Sequence, residues 1–332
     1  MKKNDRLYVY PMDSIKNISP KNPYRYNLIK SLTKKFEIVN YGYPSLSPLK
    51  DLFHYFKKSN LFLFNWIEQL SWRQIVMFIF FMLLCKIAGK KIVWTHHNIH
   101  PHKGPRKGSS FMIWLLKKFA DYVILHTSES FNILSVNHSD PRVLYYFHPF
   151  FENNIQLVEI PKSYDLLIWG NVRKSKGVHE FLEFLASRGL LDQFRIKIVG
   201  KFESKVYYED VIRDFKGRNI HIENRFIDDI ELNIQHARAR YIFFPYTGSS
   251  VLNSGALITS LPKGSPIIGP YTGAFKEAGI LGLITCYKDF EEVIDLLNKS
   301  ETMIYPHQLV ENYILKYTWG NFSEFLYNKL VK

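Results

Sequence analysis

Residues 241–270 read YIFFPYTGSSVLNSGALITSLPKGSPIIGP, and the order of residue types in this stretch decides the fold. An apolar strand, a glycine- and serine-rich turn, an amphipathic helix and a second apolar strand follow one another. Such a strand-turn-helix unit aims unpaired backbone N–H groups and the positive end of a helix dipole at one spot, which suits a phosphate or a sugar hydroxyl. Gly248 and Gly255 let a ligand approach the backbone, and Ser249, Ser250, Asn253 and Ser254 add short polar groups. A plain βαβ element would carry the same signature, so the surrounding chain has to separate the two readings.

Working backwards, residues 165–169, 195–200 and 221–224 read as strands, with helices at 177–188, 205–216 and 230–237. An earlier series has strands at 6–10, 37–41, 61–65, 91–95, 122–126 and 142–147, with helices at 23–35, 75–85 and 109–119. Pro23 suits the first turn of its helix. Alternation of this kind implies mostly parallel sheets covered on both faces. Residues 149–161 read as the link between two consecutive Rossmann-like domains, 1–160 and 161–332, with the last helix a candidate to pack back on the first. Ligands of such sheets sit beyond the carboxyl ends of the strands, so post-strand residues are the site candidates.

The 332 residues are 46% apolar, enough to fill two such cores, which argues against disorder. Cys85 and Cys286 lie far apart in apolar contexts, so neither a disulfide framework nor a zinc ribbon is indicated, and a reducing cytoplasm fits. The N-terminal run MKKNDRLYVYPMD has no apolar region long enough for a signal peptide. Net charge is +14 and unevenly placed: residues 1–165 hold 23 Lys and Arg against 11 Asp and Glu. A basic first half suggests a polyanion or an anionic membrane surface as its partner. Nucleic acid is disfavoured, because no zinc finger, RNP-type sequence or recognised basic helix is present.

Residues 75–85, IVMFIFFMLLC, are bounded by Arg73 and Lys86, with Lys90 and Lys91 just beyond. The run is too short to span a bilayer, which takes about 20 residues, so it is either a buried helix or an interfacial one. Residues 49–64 mix Lys50, His54, Lys57 and Lys58 with Leu52, Phe53, Tyr55 and Phe56, as a helix lying on lipid headgroups would. Peripheral association is therefore favoured over spanning.

The post-strand positions are rich in chemistry. His96, His97, Asn98 and His100 follow one strand, His148 follows another, and Gly170, Asn171, Arg173, Lys176 and Gly177 follow a third. Histidines presented by one domain, opposite Arg173 and Lys176 beside a helix start in the other, describe a cleft that neutralises a pyrophosphate. Salt-bridged surface cations are the alternative for Arg173 and Lys176.

Taken in order, these motifs resemble a GT-B glycosyltransferase of the family 4-like group that uses nucleotide sugars. The resemblance covers nearly the whole chain: Asn22-Pro23-Tyr24, Asn65-Trp66-Ile67-Glu68, Trp94-Thr95-His96-His97-Asn98 with His100-Pro101-His102, Ala120-Asp121, and Tyr146-Phe147-His148-Pro149. It continues with Gly170-Asn171-Val172-Arg173, Lys176-Gly177, Phe244-Pro245-Tyr246, Ser254-Gly255-Ala256 and Gly264-Ser265-Pro266. The resemblance implies an α/β fold of two Rossmann-like domains facing across a cleft. It implies that Arg173 and Lys176 hold the donor diphosphate, with Gly170, Asn171, Tyr246, Asn253, Ser254 and Gly255 around the donor. It places His97 or His96 at the reacting sugar and Asp13, Asn22, Tyr24, Glu68 and Asn98 on the acceptor side.

Two departures stand out. Many retaining relatives carry paired glutamates where this chain has Val251 and Thr259, and the first strand is followed by Pro11-Met12-Asp13-Ser14 instead of a glycine pair. The stereochemical outcome is left open. If the reaction inverts the sugar, a general base is required, and His97, Glu68 and Asp13 are candidates because each follows a first-domain strand. No Asp-x-Asp motif occurs, so Arg173, Lys176 and a helix N-terminus are expected to stabilise the leaving diphosphate without metal or cofactor. Zinc on His96, His97, His100 and His102 is disfavoured for want of a cysteine partner.

The expectation is a hexosyltransferase that uses a UDP- or GDP-sugar and a lipid-linked saccharide acceptor in capsular, exo- or O-antigen polysaccharide synthesis. A nucleotide-sugar 2-epimerase on the same fold, and a non-catalytic basic module for membrane or nucleic acid, are the competing readings.

Overall fold

A computed structural model of the chain describes residues 5–12, 22–45, 50–97, 107–150, 160–215, 219–247, 252–299 and 303–331. The chain forms two compact units, Met1–Phe151 with Lys316–Lys332, and Glu152–Leu315. The boundary thus falls before residue 160, and residues 316–332 belong to the first unit although their sequence follows the second.

The first unit runs β1 (Arg6–Tyr10), α1 (Pro23–Leu32), β2 (Glu37–Ile38), α2 (Lys50–Phe56), β3 (Leu61–Asn65), α3 (Trp72–Ile87), β4 (Lys91–His96), α4 (Lys107–Phe119), β5 (Tyr122–Leu125), α5 (Glu129–Leu134) and β6 (Val143–Tyr145). Its strands are all parallel, in the order β2-β1-β3-β4-β5-β6. β3, LFLFN, is buried along its whole length, which is why it reads as a continuous apolar run and not as an alternation. Asn22 caps α1 by accepting from the Arg25 N–H, and Pro23 occupies the first turn, where its missing donor costs nothing.

The eleven-residue apolar run lies within α3, whose start carries a capping box between Ser71 and Gln74. One face of α3 is core: Ile75, Phe78, Phe81, Met82 and Cys85 are buried, and Phe78 and Phe81 pack edge-on against Phe64 and Phe62 at 5.2 and 5.0 Å. The opposite face carries Trp72, Val76, Met77, Phe80, Leu83 and Ile87, all exposed. The buried reading of the run therefore holds for one face of the helix, and the other face is open to solvent. Residues 49–64 are not a single surface helix: α2 ends at Phe56 and β3 begins at Leu61. Among the described residues no helix is long and apolar enough to cross a membrane.

The second unit runs β7 (Tyr164–Trp169), α6 (Val178–Ser187), β8 (Ile196–Val199), α7 (Lys205–Phe215), β9 (Ile220–Glu223), α8 (Asp229–Arg238), β10 (Ala239–Phe243), α9 (Gly255–Ser260), β11 (Ile267–Pro270), α10 (Gly273–Ile280), β12 (Thr285–Tyr287), α11 (Phe290–Asn298) and α12 (His307–Lys316). Its six parallel strands lie in the order β12-β11-β10-β7-β8-β9, so the winding direction reverses between β7 and β10. The final helix, α13 (Trp319–Leu330), is capped by Thr318 and buries Trp319, Phe322, Leu326 and Leu330 in the first unit's core beside α1.

Candidate functional site

In the second unit, the reversal point is where a ligand would sit, just past the carboxyl ends of β7 and β10. The turn after β7 starts with Gly170 at φ +106°, and the backbone of Gly200, after β8, abuts it: a Cβ on Gly200 would lie 1.7 Å from the Gly170 carbonyl oxygen. Gly177, at φ +68°, presses on the loop after β10, and a Cβ there would lie 2.0 Å from the Pro245 oxygen. Both positions demand glycine for contact as well as for conformation. The Gly177 contact brings Lys176 onto Tyr246. The ammonium donates to the phenol oxygen at 2.7 Å and sits 4.7 Å from the ring centre. Tyr246 is buried and held edge-on by Phe244 and Phe275 at 5.7 and 5.3 Å.

From the same edge rises α9, capped by Ser254, whose hydroxyl accepts from the Leu257 N–H at 3.2 Å. A Cβ on Gly170 would touch Ala256 at 3.9 Å, and one on Gly255 would project into open space. Gly170, Lys176, Tyr246, Ser254 and Gly255 are thus gathered at one sheet edge, with Asn171 and Arg173 exposed on the turn between Gly170 and Gly177. Asn253 lies just before the cap, partly buried; Gly248, Ser249, Ser250 and Val251 lie outside the described residues. Sequence reasoning missed what anchors the far end of α9. The Trp169 indole donates to Ser260 Oγ at 2.8 Å, and Ser260 pairs with His236 Nε2 at 3.3 Å. Burial holds His236 well below the usual imidazole range, so it is a neutral partner. Three short segments supply this chain of contacts, and no spacing in the sequence signals it.

The corresponding edge of the first unit is built from rings. His97 follows β4, is 4% exposed, and stacks on Trp66 with ring centres 4.1 Å apart. Asn65 pins it from the end of β3: its Oδ1 lies 3.0 Å from His97 Nε2, while its Nδ2 donates to the Tyr10 carbonyl at 3.2 Å. Trp66 adopts φ +52°, a left-handed conformation that costs a bulky residue about 1 kcal/mol or more, and its stacking on His97 offsets that cost. Tyr24 stands edge-on at the centre, with His97 at 4.6 Å, Trp66 at 5.7 Å, His148 at 5.3 Å and Trp319 at 5.0 Å.

His126, after β5, completes the group. Its Nδ1–H donates to the Tyr146 carbonyl at 2.8 Å, which leaves Nε2 to accept from the Tyr24 hydroxyl at 2.7 Å. Burial drives the pKa of His126 down to about 3 and that of His148 to about 4, and it also holds His97 well below the usual range. Successive strands β4, β5 and β6 therefore each end near one neutral histidine. Post-strand position signalled His148; the grouping with His126 and Tyr24 did not show in the sequence.

Two first-unit candidates do not join this group. His96 is fully buried as the last residue of β4 and lies 5.3 Å from the Trp94 ring, on the sheet face opposite His97. Glu68 is buried too and accepts from the Trp94 indole at 2.9 Å, with burial raising its carboxyl pKa. Side-chain alternation along β4 separates the adjacent histidines. Asn22 serves as the α1 cap. Asp13, Asn98, His100 and His102 lie outside the described residues. Among the described residues no cluster of His, Cys, Asp and Glu is arranged to hold a metal ion.

No family model and no curated protein matches the chain in sequence. Solved structures do match in fold. WaaB, a lipopolysaccharide outer core galactosyltransferase, aligns over 98% of both chains at 11% identity and a TM-score of 0.64. HepE of Anabaena, solved with UDP-glucose, aligns over 98% of this chain and 94% of its own at 12% identity and a TM-score of 0.59. A mutant of S. aureus TarM, solved with UDP, fondaparinux and alpha-GlcNAc-glycerol, aligns over 75% of this chain at 14% identity and a TM-score of 0.54; the match spans 53% of the TarM chain. The chain has the GT-B fold, α/β with two Rossmann-like sheets.

Proposed function

We propose that the chain is a glycosyltransferase that moves a hexose from a UDP- or GDP-sugar to a lipid-linked saccharide acceptor in surface polysaccharide synthesis. The observation that carries this reading is the Lys176–Tyr246 pair, set by Gly177 on the edge where the second sheet reverses its winding. In this reading Lys176 supplies a point charge to the donor diphosphate and the exposed Arg173 a bidentate grip. Backbone N–H groups at the starts of α6 and α9 add fixed positive dipoles. As the C1–O bond of the donor breaks, negative charge accumulates on the leaving diphosphate, and these groups stabilise it without a metal ion.

On the acceptor side, His97 is the residue proposed to face the reacting sugar. It is neutral and oriented by Asn65, so it can accept a proton from an acceptor hydroxyl if the reaction inverts the sugar. Glu68, committed to Trp94, is not given that part. The basic first half supports an anionic membrane surface as the place of work, with the protein peripheral at the cytoplasmic face of the inner membrane. UDP-glucose accompanies HepE and UDP accompanies the TarM mutant, which makes uridine donors the first to try.

The test is incubation with a panel of UDP-, GDP- and CMP-sugars, following nucleotide release and sugar products. Slow hydrolysis of one donor supports the reading and identifies the sugar. Conversion of a donor to its C2 epimer would replace it with epimerase chemistry, and silence across the panel together with no calorimetric binding of UDP or GDP would overturn it.

A further inference from the structure

At the opposite, amino-terminal end of the first unit's sheet, a cavity of about 420 Å³ opens between the starts of β4 and β5. Lys86, Lys91, Lys118 and Arg142 line it. Two carboxylates offset them in part: Asp121 takes the Lys86 ammonium, and Asp140 takes the Arg142 guanidinium at 2.8 Å. Arg142 also donates to the Lys118 carbonyl at 3.3 Å, and Lys91 to the Leu330 carbonyl at 3.1 Å. The Lys118 ammonium lies over the rings of Trp114 and Phe119, at 5.4 and 5.7 Å from their centres. The cavity is therefore cationic, and it lies far from the carboxyl edge that carries the histidines.

Phe119 belongs both to this cavity and to an exposed aromatic ridge. The ridge continues by ring contacts from Phe119 to Trp114 at 6.2 Å, Phe111 at 5.6 Å and Trp72 at 5.8 Å, and then along the outer face of α3 through Val76, Phe80, Leu83 and Ile87. Phe53 on α2 meets Phe80 at 6.3 Å and widens it. Six large apolar side chains on one exposed helix face form a patch of the kind that marks an interaction surface. Tryptophans at the margin and lysines around them match the chemistry of a bilayer interface, where rings sit at headgroup depth and cations meet phosphates.

We propose that the cavity holds the phosphate of an anionic lipid headgroup while the ridge on α3 and α4 enters the acyl boundary beside it. The inference deepens the membrane part of the reading above and rests on it. It adds a defined headgroup site and an orientation: the amino-terminal edge of the first sheet faces the lipid. A diffuse basic surface would attract the same membrane through net charge alone, and the two cases differ in what a local substitution does.

The test is cosedimentation of the full chain with phosphatidylcholine vesicles, with and without phosphatidylglycerol, at several salt concentrations. Wild type should bind the anionic vesicles and leave the neutral ones in solution. Lys91→Gln with Lys118→Gln should weaken binding about thirtyfold, the equivalent of two interfacial cations. Lys30→Gln with Lys34→Gln, exposed positions on and just after α1 that remove the same net charge, should change binding by roughly twofold at most. Phe80→Ala with Trp114→Ala should leave salt-dependent attraction but lose the salt-resistant part. Unchanged circular dichroism melting of each variant guards against misfolding. Equal loss from the two lysine pairs, or none from the cavity pair, would overturn the headgroup site and leave a general membrane partner standing; failure of wild type to bind anionic vesicles would remove that partner as well. Release from vesicles by micromolar glycerol 1-phosphate would overturn the lipid assignment in favour of a soluble phosphate ligand.

Discussion

The carboxyl edges of the two sheets answer the same topological problem with different materials. In the second unit the edge is built from glycine, where Gly170, Gly177 and Gly200 let backbone strands touch and leave Lys176 and Arg173 as the chemistry. In the first unit the edge is filled by Tyr24, Trp66, His97, His126, His148 and Trp319, packed ring against ring. An edge made of glycine offers amides and charge to an anion, whereas an edge made of rings offers neutral imidazoles and flat apolar surface. The proposed function assigns a diphosphate to the first kind of edge and a sugar hydroxyl to the second.

Acid should break the comparison most strongly. His126 and His148 titrate near 3 and 4 in the folded first unit and near 6.5 unfolded, so the unfolded chain takes up more protons between those values. Their contribution to stability is whole above about pH 6.5 and is lost as pH falls towards 4, at up to about 1.4 kcal/mol per pH unit for each histidine. Urea unfolding at a series of pH values should show this slope, and His148→Gln should flatten it. A slope unaltered by that substitution would mean that His148 is protonated in the folded protein.

Next in size comes the glycine edge. Gly177→Ala places a Cβ against the Pro245 carbonyl in a left-handed conformation and should cost about 3 kcal/mol or more. Gly189→Ala is its control: the same handedness at φ +70°, open space around the Cβ, and an expected cost of about 1 kcal/mol. Urea midpoints measure both, and equal costs would show that the loop after β10 yields to the added methyl group.

Lys176→Ala and Arg173→Ala should each weaken donor binding by about 1.5–3 kcal/mol, roughly tenfold or more in calorimetry, with little change in melting temperature. Tyr246→Phe removes only the phenol that receives Lys176 and should cost about 1 kcal/mol of donor affinity. Smallest of all should be the response to excess EDTA: transfer should continue, and loss restored only by Mn²⁺ would reassign the leaving-group chemistry to a metal.

Much of the fold was legible because parallel strands covered on both faces leave continuous apolar runs, and because Lys176-Gly177 and Phe244-Pro245-Tyr246 are local signals. The run at 75–85 was legible only as apolar; that its helix has a core face and an exposed face depends on which neighbours cover it. Adjacent His96 and His97 look alike in the sequence, yet alternation along β4 turns one towards Trp94 and the other towards Asn65 and Trp66.

By itself the sequence determined the two βαβ series, the basic first half and the cations that follow β7, since periodicity, charge and post-strand position are properties of short stretches. Tertiary structure alone decided that Lys176 rests on Tyr246, that Trp169, Ser260 and His236 anchor α9, and that three strands bring neutral histidines round Tyr24. Each of these joins residues far apart in the chain, and their side chains meet only when the sheet order places their strands and helices side by side.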